Sequence, residues 1–165
     1  MSSGAHGMGV RWDEVHFERS YDRWAACGQA KAANVLFAMH LDALGRDAGV
    51  RAFAVHPGSN LTPLQRHVAK ADMVDAGWID ENDTPTDPTF KTPGQGAATQ
   101  AWAAASPQLA GMGSVLYRED CDIAEPAGDG SEGGVHAHAT DPEQASLLWA
   151  LSADLTGLDA FAAAV

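Results

Sequence analysis

Residues 50–58, VRAFAVHPG, constrain the fold more than any other stretch of this chain. A short, nearly continuous apolar run bounded by Gly49 and by Pro57-Gly58 suits a strand buried on both faces, as in a parallel sheet flanked by helices. The preceding residues agree with this. From Trp24 to about Leu44 there is no proline, and Val35, Leu36, Met39 and Ala43 recur on one helical face before Gly45 and Gly49 punctuate its end. A helix leading directly into a buried strand is half of a βαβ unit, and in such sheets ligands sit just beyond the carboxyl ends of the strands. The turn at 57–62 is therefore the first place to look for a site.

The remaining segments supply too few strands to close such a sheet. Residues 1–23 are Gly-rich and then polar, and read as a loop reaching a helix start near Asp22. Residues 61–82 hold one or two short helices, and Gly77 with the polar IDENDTPTDP makes 61–90 a mobile lid or insertion. Thr92-Pro93 opens a helix, with Thr as N-cap and Pro at the first helical position, that runs to Pro107. VLY at 115–117 is a brief strand, 127–134 is a Gly-rich acidic loop, and Asp141-Pro142-Glu143 caps a last amphipathic helix through Leu147, Leu148, Leu151 and Leu155. Two strands and three helices fall short of the roughly five or more strands that bury the helices of a doubly wound sheet. The shortage predicts part of a larger domain.

Composition narrows the function. With 165 residues, 45% of them apolar, one domain is the expectation. The formal charge of −12 repels phosphate backbones and anionic lipid, which argues against nucleic-acid and membrane partners. No apolar run approaches the roughly 20 residues that cross a bilayer. Cys27 and Cys121 fit no CxxC pattern and read as free thiols of a reducing, cytoplasmic compartment.

Three elements occur in a telling order: Ser2-Ser3, then CGQAKAAN at 27–34 on the helix, then Pro57-Gly58-Ser59-Asn60-Leu61-Thr62 after the strand. Together with WAACGQAKAANVLFA, RAFAVHPGSNLTPLQRH, KTPGQGAATQAWAA and LYREDCDIAEP, this order resembles the carboxyl-terminal half of a short-chain dehydrogenase/reductase, in the branch of the retinol dehydrogenases and WW-domain oxidoreductases. The resemblance runs from Ser2 to about Leu155. It implies an α/β fold, the carboxyl-terminal part of a Rossmann-type doubly wound parallel sheet without its amino-terminal half. It also implies oxidation of a small alcohol or reduction of a carbonyl with NAD(P), NADP being the favoured form. By that resemblance Ser3 orients the substrate carbonyl, and Cys27 occupies the position of the tyrosine that moves the proton. Lys31 binds the nicotinamide ribose and lowers the tyrosine pKa, while Pro57, Gly58, Asn60 and Thr62 hold the nicotinamide end.

Departures from the family pattern bear on activity. The Gly-rich turn that cradles the dinucleotide pyrophosphate belongs upstream of the serine, and the G-x-G-x-x-G at Gly128, Gly130 and Gly133 follows no clear strand, so it is a chance match. A thiol titrates closer to neutral than a phenol, so acidity does not disqualify Cys27. Reach does: proton transfer wants roughly 2.6–3.2 Å between heavy atoms, and the sulfur ends several ångströms short of a phenol oxygen. Tyr21 is off this face and makes a poor substitute. The isolated chain is thus expected to be impaired or inactive, alternatively a non-catalytic interaction module that needs an amino-terminal half or another copy of itself. A reactive thiolate at Cys27 beside Lys31 is a third, weaker reading. His136-Ala137-His138 reads as a solvated pair rather than a metal site, and Asp120-Cys121-Asp122 as the seat of a structural thiol.

Overall fold

The computed structural model describes residues 1–109, 112, 117–128 and 133–162. Helix α1 spans Arg23–Gly45, and its start is set by Asp22, whose carboxylate accepts the N–H groups of Trp24 and Ala25. Strand β1 follows at Ala54–His56 and the short helix α2 at Lys70–Asp75. Helix α3 covers Pro93–Ala105, with Thr92 and Gln95 closing a reciprocal capping box. Strands β2 (Tyr117–Glu119) and β3 (Asp122–Ile123) precede α4 (Pro142–Thr156), which Asp141 caps. The expected N-caps at Asp22, Thr92 and Asp141 are all in place. Short 3₁₀ turns lie at Gly4–Met8, Pro63–His67 and Ala137–Thr140. Residues 1–23, expected as loop, thus contain one such turn, and Ser3 accepts the Ala5 N–H at its start.

The sheet is small and mixed rather than wholly parallel. β1 pairs parallel with β2 in the register Ala54↔Tyr117, Val55↔Arg118, His56↔Glu119, and β2 pairs antiparallel with β3. Helices α2 and α3 lie in the crossover between the parallel pair, a different unit from the half βαβ expected of α1 leading into β1. Side-chain alternation along β2 divides the layers. Tyr117 joins Val35, Ala38 and Ala54 in a core shared with α1, whereas the Arg118 guanidinium lies 5.7 Å from the Trp102 ring of α3. Helix α4 packs on the far side of α1 through Leu36, Ala145 and Leu148. Among the described residues no helix is long and apolar enough to cross a membrane.

Of the 50–58 run Ala54–His56 is strand, and one backbone group ahead of it bonds to a carboxylate. Asp42 is fully buried and takes the Ala52 N–H at 3.1 Å, so that backbone group bonds to a side chain instead of a neighbouring strand. Beyond it the opposite edge of β1 receives Ser2, whose N–H donates to the Val55 carbonyl at 2.8 Å. The segment 61–90, expected as a lid or insertion, makes contacts with α1 and within itself. Trp78 stands edge-on between Trp24 and Phe90 at 6.3 Å from each, Arg23 pairs with Asp72 at 2.6 Å, and Ile79 is 6% exposed.

Among the described residues Arg118 is the largest fully buried side chain, and none of its three guanidinium nitrogens finds a hydrogen-bond partner there. Its charge is met by ring faces instead. Phe53 is flanked by Arg51 at 5.6 Å and Arg118 at 5.1 Å, giving a ladder of Arg51, Phe53, Arg118 and Trp102. Burial pulls the Arg118 pKa down, and the Arg51 charge adds to this while Asp122 opposes it. Because a buried unpaired donor costs about 1–3 kcal/mol, more when charged, Arg118→Met is expected to raise stability by about 1–3 kcal/mol. A urea midpoint that falls in this variant would show instead that the rings stabilise the cation more than its desolvation costs.

Candidate active site

The strand-end serines and the middle of α1 are brought together. The Ser2 hydroxyl donates to the Lys31 carbonyl at 2.9 Å, and Ser2 is almost fully buried. Three residues before Lys31, Gly28 lets the Gly4–Met8 turn approach: a Cβ there would stand 2.7 Å from the Ala5 carbonyl oxygen and from the Met8 Cβ. Ser3 and the Cys27–Lys31 turn are thus fastened on each side by backbone contacts. The Ser3 hydroxyl accepts from Ala5 N at 3.2 Å, which leaves its own proton free to donate.

Cys27 and Lys31 lie one turn apart on α1. Cys27 is an exposed free thiol, and the Lys31 amine makes no hydrogen bond or ion pair among the described residues. Tyr21 is 74% exposed and packs against Phe17 at 6.1 Å.

The turn after β1 is built as an anchored loop. Gly58 has φ 78°, and its missing side chain admits Lys91, whose Cε and Nζ would lie 2.7 Å from a Cβ at that position. Asn60 donates to the Gly58 carbonyl at 2.7 Å, and its own Oδ1 is buried without a partner. Thr62 caps the Pro63–His67 turn in a reciprocal box with Gln65, so its hydroxyl is engaged by backbone. Lys91 N–H reaches the Ser59 carbonyl at 2.8 Å, and the Lys91 amine pairs with Asp120. Pro57, Gly58, Asn60 and Thr62 therefore sit at the carboxyl end of β1, as expected. No hydrogen bond or ring contact joins them directly to Cys27 or Lys31 among the described residues.

The loop between Ser3 and Cys27 is organised by a feature the sequence reading missed. Glu14, 8% exposed, takes the Arg19 N–H, the Ser20 N–H at 2.9 Å and the Ser20 hydroxyl at 3.0 Å, and pairs with Arg11. Burial pushes its carboxyl up, but these bonds outweigh it and hold the group below 4.5. Gln29 then ties the loop to α1, accepting Arg11 N–H at 2.9 Å and donating to the Val15 carbonyl at 2.7 Å. The visible signal was Glu14 amid Arg11, Arg19 and Ser20, with Gln29 two residues after Cys27.

One further expectation changes. His136 and His138 are not a solvated pair: they pack on His6, with ring centroids 5.2 Å apart for His6 and His136 and a 2.9 Å bond from His138 Nε2 to the His6 carbonyl. Cys121, expected as a structural thiol, is exposed and has its sulfur 3.9 Å from the buried Thr99 hydroxyl. Asp120 and Cys121 form the two-residue hairpin turn between β2 and β3, with φ of 50° and 59°. Its N–H is held by the buried Thr99 hydroxyl at 3.2 Å. Among the described residues no three metal-ligating side chains converge. Gly130 of the G-x-G-x-x-G match lies outside the described residues, as do Val115 and Leu116.

No family model matches the chain. Individual proteins do. A probable oxidoreductase of Streptomyces lividans is 46% identical over 160 residues, covering 93% of this chain and 53% of that protein. The short-chain dehydrogenase/reductase prx1 of Penicillium rubens is 34% identical over 159 residues, covering 95% of this chain and 45% of its own length. Retinol dehydrogenase 14 of Homo sapiens is 29% identical over 154 residues, covering 90% and 40%. The chain thus spans about half the length of these relatives. These similarities, over nearly all of the chain, place it: it belongs to the short-chain dehydrogenase/reductase family, as a carboxyl-terminal part of such a protein.

Proposed function

We propose that this chain supplies the substrate and nicotinamide end of an NAD(P)-dependent oxidoreductase acting on a small alcohol or carbonyl, with NADP the favoured cofactor and the cytoplasm its setting. The carrying observation is the docking of Ser2 and the Gly4–Met8 turn onto the Gly28–Lys31 turn, with the exposed Cys27 thiol one helical turn before Lys31. Ser3 orients the substrate oxygen, Lys31 holds the ribose, and Pro57, Gly58, Asn60 and Thr62 shape the nicotinamide end. The bound nicotinamide supplies or accepts the hydride. Cys27, short of the substrate oxygen, passes the proton poorly, so this chain by itself has little or no activity.

Calorimetric titration with NADPH and NADH tests this reading. The chain alone is expected to show no saturable binding, since no pyrophosphate turn stands among its described residues. Mixed with the amino-terminal half of a relative, it is expected to bind, and to bind NADPH more tightly. Failure of the assembled halves to bind either nucleotide overturns the oxidoreductase reading.

A second reading, a non-catalytic interaction module, draws on the edge of β1. Its Val55 carbonyl already takes one N–H from Ser2. Such a ladder is the start of strand addition by a partner segment or a second copy. Assembly with the amino-terminal half but without nucleotide binding favours this alternative.

A further inference from the structure

His6 is 1% exposed, and both of its ring nitrogens are committed. Nε2 accepts the His136 backbone N–H at 3.2 Å and therefore carries no proton. The proton resides on Nδ1, which donates to the Ser3 carbonyl at 2.7 Å, with the buried Tyr117 hydroxyl 3.4 Å from the same nitrogen. From the other side, His138 Nε2 donates to the His6 carbonyl at 2.9 Å, and the His136 ring stands edge-on over His6. One imidazole thus joins the turn after Ser3 to the segment 134–140 that leads into α4.

The surroundings leave no place for a second proton. The Ala137–Thr140 segment and the residues before it present His136 and His138, β1 presents His56, and β2 presents Tyr117 and Glu119. Glu119 is engaged by the Gly134 N–H at 2.8 Å, and among the described residues no carboxylate bonds the His6 ring. Helix α1 meets this region through Gly28 and, by way of Ser2, the Lys31 carbonyl. Protonated Nε2 would face the His136 N–H donor to donor, closed to water and beside other imidazoles.

We infer that the His6–His136 contact is an acid-operated latch: a proton on His6 Nε2 releases segment 134–140 from the Gly4–Met8 turn and loosens the hold on Ser3. Burial, more than the neighbouring His136, His138 and His56, pulls the His6 pKa below 6.5, against the Ser3 bond that raises it. The open form therefore binds more protons than the closed form, and the closed form loses stability as pH falls below 6.5. The latch operates whether or not the chain binds a nicotinamide.

Hydrogen exchange of the full chain at about pH 7.5 and about pH 5.5, corrected for intrinsic rates, tests it. Peptides covering 134–140 are expected to lose protection roughly tenfold at the lower pH, while peptides covering Val35–Ala38 keep theirs. His6→Gln places an amide oxygen where Nε2 stood, accepts the His136 N–H without titrating, and is expected to abolish the pH dependence. Equal protection of wild type at both pH values overturns the latch, as does an unchanged pH dependence in His6→Gln. Should that variant fail to fold, ring nitrogen NMR of the wild type decides: Nε2 unprotonated near neutral pH, gaining its proton in step with the lost protection, supports the latch. A protonated Nε2 at pH 7.5 overturns it.

Discussion

Asp42→Ala is expected to destabilise the chain by about 3 kcal/mol, lowering the thermal midpoint by about 6–12 °C. The carboxylate is fully buried near the end of α1 and joins three groups: Arg51 Nε at 2.7 Å, Arg46 at 3.1 Å and the Ala52 N–H at 3.1 Å. It is the polar link between the long helix and the strand that carries the Pro57–Thr62 turn. Removing one partner of a buried ion pair typically costs 3–5 kcal/mol; the low end applies because the guanidiniums left behind reach solvent. Burial pushes the Asp42 carboxyl up, but the Arg51, Ala52 and Arg46 bonds outweigh it and hold it below 3.8. A carboxylate held low in the fold contributes stability above its ordinary pKa and loses it as the pH falls below 3.8. Calorimetric unfolding of wild type and variant at neutral pH and near pH 3 checks both points. Unchanged neutral midpoints would show that the two arginines and Ala52 find equivalent partners in water.

The elements legible in the sequence are those whose ends are written locally. Asp22, Thr92-Pro93 and Asp141-Pro142 each announce a helix start, and the caps form as side-chain chemistry dictates. Ser3, Cys27, Lys31 and the Pro57–Thr62 turn stand out in the sequence by their order alone, and the turn's place at the carboxyl end of β1 is legible from Pro57-Gly58. What stayed hidden depends on contacts distant in sequence. The Ala52 N–H turns from the sheet because a carboxylate ten residues earlier accepts it, and no periodicity records that. His6 and His136 are 130 positions apart, so the histidine pair that looks solvated in sequence meets the buried His6 only after α1 and the sheet bring them together. Arg118 lies just past the strand expected at 115–117, and only the flanking Phe53 and Trp102 rings show how its charge is accommodated.

Cys27→Tyr, in an assembly of this chain with the amino-terminal half of a relative, is expected to raise reduction of a small aldehyde by about 10²–10⁴-fold, the usual contribution of a positioned general acid. The argument is one of reach and room. Position 27 is exposed, so a phenol enters without displacing core, whereas its neighbour Gly28 has the Ala5 carbonyl 2.7 Å from where a Cβ would stand. The free Lys31 amine one turn on is poised to favour the ionised phenol, and the Ser3 proton remains available to the substrate oxygen. The gain belongs in kcat, because a proton donor acts in the transition state and adds little to binding of nucleotide or aldehyde. Cys27→Ala separates the remaining possibilities: if the thiol relays protons through a water, alanine is slower than wild type, and if it is a bystander, the two are equal. Should the tyrosine variant of a nucleotide-binding assembly turn over no faster than wild type, the serine and lysine are not placed for proton transfer, and the interaction-module reading gains the ground.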